Sequence, residues 1–192
     1  YRPARGSLCA AERRGGEGAC PKLTSENFGE VANKVVTRWN EGDLTWTLDA
    51  DGTLTISGTG AMKVYSTDDS PAYNNSNIKK VVIENGITSI GAYAFYDCSG
   101  LTSIEIPEGV TSIGNYAFDS CSNLASIEIP NSVTSIGDSA FQYCSSLTGI
   151  TIPENVTSIE RYAFRNCTGL KSITIPKSVE SVGDKAFSGC TA

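Results

Sequence analysis

The sequence predicts a repeat solenoid, α/β-type or mainly β, in which five 23-residue coils form a parallel sheet behind an N-terminal β-hairpin cap and a preceding helix. Three observations carry this expectation. Cys98, Cys121, Cys144, Cys167 and Cys190 recur at a constant step of 23 residues. Phe95, Phe118, Phe141, Phe164 and Phe187 keep the same step, each preceded by alanine. Upstream, "LTWTLDADGTLTIS" (44–57) alternates apolar and polar residues on both sides of an Asp-Ala-Asp-Gly turn, which is the pattern of a hairpin.

Each unit can be read residue by residue. The units 78–100, 101–123, 124–146, 147–169 and 170–192 follow one another without an insertion, opened by Ile78, Leu101, Leu124, Leu147 and Leu170. In "LTSIEIP", Leu101, Ile104 and Ile106 are expected to point inward and Glu105 outward, as a short strand requires. Proline cannot donate to a strand ladder, so Pro107 belongs at the strand's exit. "VTSIG" supplies a second extended stretch with Val110 and Ile113 inward, and Gly114 allows a bend before "NYAF" turns, helically or otherwise, along the convex side. A period of 20 to 29 residues with L-x-x-L-x-L at its start is that of a leucine-rich repeat solenoid, whose single coil cannot bury its apolar face until a neighbour covers it.

The five ladder cysteines admit three readings. Structural zinc needs four ligands converging on one point, whereas a ladder spreads its thiols along an axis. Coils about 4.8 Å apart bring the cysteines within disulfide reach, yet equivalent side chains of stacked coils point the same way and an odd number leaves one unpaired. The third reading, a row of free thiols packed as small hydrophobes, is the one adopted. Cys9 and Cys20 lie outside the ladder, and their pairing is left open.

Ahead of the repeats, residues 1–23 read as a flexible tail and 24–43 as an amphipathic helix. The helix rests on Phe28, Val31, Ala32, Val35, Val36 and Trp39 after a cap at Thr24 or Ser25. Residues 44–77 comprise the hairpin cap and a polar connection anchored by Met62 and Tyr65, and 78–192 the repeats. "DADG" is similar to the start of a calcium loop, but the twelfth position is Gly60 rather than Glu, so turn chemistry is the better explanation. The chain begins with Tyr1, as a processed fragment would, and ends without a divergent capping unit. The last coil is therefore expected to meet a continuation of the chain or to make an end-to-end contact.

Composition narrows the function. Among 192 residues the net charge is −6, which opposes binding to nucleic acid, and no apolar run is long enough to insert into a membrane. Histidine is absent, removing the commonest general base and metal ligand. No nucleophile–base pair, phosphate loop or converging carboxylate pair is present, so the reading is a non-enzymatic protein with no catalytic residues and no cofactor or metal.

The line "IPNSVTSIGDSAFQYCSSLTGITIP" resembles the BspA-like, or Treponema pallidum-type, leucine-rich repeats of bacterial surface proteins. "LTWTLDADGTLTISGTGAM" is similar to the usual start of such arrays, which extends the resemblance back to about Leu44. The resemblance implies an extracellular or cell-surface adhesion module with a protein or glycan partner; it carries no binding residue over, because the shared motif is structural. Outward strand positions are then the candidate contacts: Lys79, Lys80, Glu105, Glu128, Thr151, Lys171 and Thr174. Such a face measures only about 300 Å², against about 800 Å² per partner in a standard interface. Tyr116, Tyr143, Arg161 and Tyr162 on the turns are alternative contacts, and a spacer carrying other domains is the alternative function.

Overall fold

The structure is a computed structural model that describes residues 37–191. The expected tail 1–23, the helix over 24–36 and the Cys9–Cys20 question lie outside the described residues. Where the expected helix 24–43 enters them, the chain is a strand: β1 (Thr37–Glu41) pairs antiparallel with β2 (Leu44–Leu48) and sets Trp39 opposite Trp46. Thr37, Trp39 and Glu41 alternate with the more exposed Arg38 and Asn40, a period of two that the isolated Trp39 could not reveal. Gly42, at φ 59°, opens the two-residue turn between β1 and β2.

The hairpin itself forms as expected. β3 (Thr53–Gly58) pairs antiparallel with β2, burying Leu44, Trp46, Leu48, Leu54 and Ile56. Asp49 Oδ1 accepts the amides of Asp51 (3.0 Å) and Thr53 (2.8 Å), so "DADG" is a side-chain-stabilised turn. The carbonyl of Gly52 accepts the amides of Lys79 and Lys80, joining the hairpin to the first repeat. At φ 85°, and with Asn77 O in the space an added Cβ would take, that position admits glycine alone.

Beyond β3 comes β4 (Gly60–Ala61), and the connection is no mere linker. β3 pairs in parallel with β5 (Lys80–Ile83), and β4 with β6 (Ile87–Ile90). Met62 and Tyr65 are buried, while their amides donate to Ser89 O and Ala92 O of the next coil. Residues 53–77 thus form an irregular opening turn, and about six turns stack in all.

Each regular coil runs through a first strand, a short second strand and a run of tight turns. On the first-strand side, β5 pairs with β7 (Ser103–Glu105). On the second-strand side, β6 continues to β8 (Ser112–Ile113) and β9 (Ser135–Ile136). Further along, β10 (Gly149–Thr151) pairs with β12 (Ser172–Thr174), and β11 (Ser158–Ile159) with β13 (Ser181–Val182), all in parallel. Leu101, Ile104, Val110 and Ile113 are buried as expected, and Ile106 is partly buried against the core. The first-strand ladder is interrupted at 124–130, where the chain follows the coil without forming a strand.

The turn side shows no such break. Tyr93, Phe95 and Asp97 donate their amides to Asn115, Ala117 and Asp119 of the next coil, each at 2.9 Å. The intervening amides of Ala94, Tyr96 and Cys98 close turns onto Gly91, Tyr93 and Phe95. Every backbone donor from 93 to 98 is thereby satisfied. This alternation requires left-handed backbone at 93 and 97, recurring at 116 and 120, 139 and 143, 162 and 166, and 185 and 189. It also explains why no helix forms here: half of the amides are committed to a neighbouring coil.

Within that frame the phenylalanines stack. Phe95, Phe118, Phe141, Phe164 and Phe187 have ring centroids 5.3, 5.3, 5.4 and 5.5 Å apart, with interplanar angles falling from 14° to 2°. Trp46 closes the near end of the row at 5.8 Å from Phe95. The cysteines take a defined place beside it. The Sγ of Cys121, Cys144, Cys167 and Cys190 donates to the carbonyl of the phenylalanine 26 residues earlier, at 3.0 to 3.2 Å, and Cys98 does the same to Ala72. All five are free thiols. Burial pushes Cys98 and Cys167 up to about 12 and raises Cys121 and Cys144 well above the ordinary thiol range.

Two tests follow from this core. Phe141→Ala is expected to cost about 3 to 5 kcal/mol, and Phe187→Ala distinctly less, because Phe187 has one ring neighbour and is only partly buried. Denaturant melts measure both, and a loss under about 1 kcal/mol at Phe141 contradicts the stack. Thiol reagents on the native protein, mapped by peptide, should leave Cys98, Cys121, Cys144 and Cys167 unmodified until denaturant is added. Modification of all five in the folded state would refute the packed ladder.

Candidate functional site

The candidate contacts fall where strand alternation puts them. Lys80 on β5, Glu105 on β7, Thr151 on β10 and Thr174 on β12 face outward, with Thr151 directly opposite Thr174. Glu128 is exposed on the unpaired stretch, while Lys79 and Lys171 sit just ahead of their strands. Three of the charges are already engaged. Lys80 Nζ lies 2.6 Å from Glu105 Oε1, and Lys79 Nζ folds back onto Ser76 O at 2.9 Å. Both members of the Lys80–Glu105 pair are substantially exposed, so the pair is worth at most about 1 kcal/mol.

The face is not flat. A depression of about 320 Å³ opens between β7 and the unpaired stretch, lined by Ser103, Glu105, Ile106, Ser126 and Glu128. A second, of about 450 Å³, lies on the other side of Glu105 and ends at Pro107. Glu105 and Ile106 belong to both. Nothing in the sequence signalled this relief, because the 124–130 unit matches the repeat as well as its neighbours do.

The turn side carries aromatic side chains whose surroundings differ along the array. Tyr93 stacks on Tyr116 at 4.8 Å and meets Tyr96 edge-on at 5.5 Å, and Tyr73 stacks on Tyr96 at 6.0 Å. Tyr116 is therefore a packing residue. Tyr143 is 43% exposed, and Tyr162 lies beneath Arg161, so both remain surface groups. Near the opening turn, Tyr65 donates its hydroxyl to Glu41, while Lys63 lies 2.9 Å from Glu41 and 5.0 Å from the Tyr65 ring centroid. Burial first, then the bond to Glu41, raises the Tyr65 phenol far above its usual range. This group clasps β1 to the solenoid.

Asp119 is the buried carboxyl of the turn side. Its carboxylate accepts the Ser120 hydroxyl at 2.8 Å. Burial, aided by the charge of Asp97 and opposed by Ser120, pushes it up to about 6. Among the described residues no three His, Cys, Asp or Glu side chains gather to hold a metal, and no helix is long and apolar enough to cross a membrane.

With this geometry in view, the relatives are informative. Residues 69–192 match six copies of the BspA type leucine rich repeat region. The chain belongs to that family. No curated protein matches it. Among solved structures it is similar to a leucine-rich repeat protein from Eubacterium ventriosum at 33% identity and TM-score 0.69, covering 80% of this chain and 41% of that one. A leucine-rich repeat protein from Bacteroides ovatus shares 30% identity at TM-score 0.61, covering 79% and 45%. A leucine rich cell surface protein from Faecalibacterium prausnitzii shares 30% at TM-score 0.55, covering 80% and 52%. The chain thus spans less than half the length of the first two.

The buried carboxyl gives a pH test. A carboxyl whose folded value is raised contributes fully below the unfolded value near 4, and that contribution is lost as pH rises through about 6. Asp119→Asn retains a partner for Ser120 and removes the charge. It should stabilise the fold by about 1 kcal/mol above pH 7, after allowance for solvent screening, and by nothing at pH 4. Melting curves across that range decide it; a gain independent of pH would show that charge burial is not the cause.

Proposed function

We propose that the chain is a non-enzymatic recognition module of a bacterial surface protein, adhering through the outward strand face to protein partners. The observation that carries this reading is the relief around Glu105. An array of near-identical coils becomes specific where one first strand is missing, and there Ser103, Glu105, Ser126 and Glu128 frame a groove. A likeness at 30% identity to a cell surface protein supports an extracellular setting. The face lacks the aromatic and arginine anchors that dominate tight interfaces, so each copy binds weakly and many copies on one surface supply the strength.

The test is capture of the labelled protein, as monomer and as a streptavidin tetramer, by extracellular-matrix proteins and whole cells. Saturable capture by the tetramer, lost when Glu105, Glu128 and Lys171 are changed to Ala, is the expected result. Failure of the tetramer on every surface would leave the spacer as the better reading.

A further inference from the structure

The turn side of the fourth and fifth coils holds a cluster that the strand-face reading does not use. Arg161, Arg165 and Lys185 place their charges 4.6, 5.2 and 6.0 Å from the centroid of one ring, Tyr162. The ion pairs of the described residues are those of Lys63 with Glu41 and Asp69, and of Lys80 with Glu105. None of the three cations around Tyr162 takes part in one. Glu160 instead accepts the hydroxyl of Ser158 at 2.6 Å, and Asp184 is exposed without an ion pair. In a chain of net charge −6, three cations gathered on one ring beside two carboxylates, Glu160 and Asp184, are a local excess of positive charge.

The repeat explains how the ring became available. At the equivalent position of earlier coils, Tyr93 and Tyr116 cover each other's faces. The next coil has the buried Ser139 there, and the last has Lys185. Tyr162, held at φ 58° where bulky residues seldom sit, therefore has no stacked aromatic neighbour among the described residues, and cations occupy its surroundings.

On the same turn side, in the three preceding coils, is a groove of about 430 Å³ whose lining includes Tyr143, Asp97 and four serines. Tyr143, on the last of these coils, is one coil step from Arg165, whose carbonyl accepts its amide at 2.8 Å. Serine hydroxyls and a carboxylate suit ligand hydroxyls, and the half-exposed Tyr143 ring suits an apolar sugar face. The Tyr162 cluster suits a carboxylate or sulfate, which guanidinium groups bind in fork geometry. Asp97 within the groove disfavours a continuous phosphate backbone.

We propose that this strip binds an acidic glycan, a chain of neutral sugars interspersed with uronate or sulfate groups, with its acid group on Arg161, Arg165 and Lys185 and the adjoining sugar on Tyr143. This surface and this ligand class are independent of the strand-face reading.

The experiment titrates the full chain at about 150 mM salt, where exposed charges act only over about 8 Å. The ligands are hyaluronan and chondroitin 4-sulfate oligosaccharides, with neutral chitin oligosaccharide and oligothymidylate as controls. Hyaluronan binding assigns the carboxylate, and binding confined to chondroitin sulfate assigns the sulfate; either supports the site. Combining Arg161→Gln, Arg165→Gln and Lys185→Asn, the last chosen because asparagine tolerates left-handed backbone, should weaken binding at least about tenfold. Tyr143→Ser should weaken it about threefold, and Lys79→Gln with Lys171→Gln should leave it within about twofold. Circular dichroism melts confirm that each variant folds. No binding of either acidic glycan, equal loss in the Lys79/Lys171 control, or equally tight oligothymidylate would overturn the proposal.

Discussion

The structure depends on one arrangement, the sharing of turn-side amides between consecutive coils. Because Tyr93, Phe95 and Asp97 donate forward while Ala94, Tyr96 and Cys98 donate within their own coil, no backbone donor in that run is left buried and unpaired. The left-handed residues at each coil's two turn positions are the conformational cost. What they secure is a constant step from coil to coil. That step lets identical phenylalanines meet face to face and lets each cysteine reach a carbonyl of the coil before it.

The chemistry of the ladder residues follows. Phenylalanine at this position gains burial and, within the row, an offset ring contact on each side, a gain that recurs from coil to coil. Cysteine is small enough for the gap beside it and carries a weak donor for a carbonyl that would otherwise depend on a single amide. A thiol so placed is held protonated by burial, which makes it structural rather than reactive.

The sides of the solenoid are unequal as a result. The turn side has its full set of inter-coil bonds at every regular junction, whereas the strands are two to four residues long and one first strand is absent. Relief is therefore possible on the strand face without loss of the stack, and the groove at Glu105 is where it occurs. The turn side differentiates by side chain instead, passing from stacked tyrosines to a ring surrounded by cations. One scaffold thus presents two surfaces of different chemistry, a weakly polar strand face and a turn strip graded from acidic to basic.

The amino-acid sequence by itself determined the solenoid, its period, the inward residues, the hairpin and the buried thiols, because each rests on a pattern that repeats within a coil or alternates within a strand. Phe141 and Cys144 could be placed without coordinates, since only one stacking brings every equivalent residue into register. Tertiary structure decided what depends on a particular neighbour. Trp39 lies on a strand because Trp46 is opposite it, not on the helix that its spacing from Val35 and Val36 suggested. Residues 60–77 complete the opening turn because the first repeat offers carbonyls to their amides, although their own composition is that of a linker. Glu105 is partly neutralised because Lys80 reaches it from the adjacent strand, and Arg161, Arg165 and Lys185 become one cluster because residues 23 apart are stacked by the coil. Periodicity specifies which positions are equivalent; the contacts made where the sequence departs from it are settled only in three dimensions.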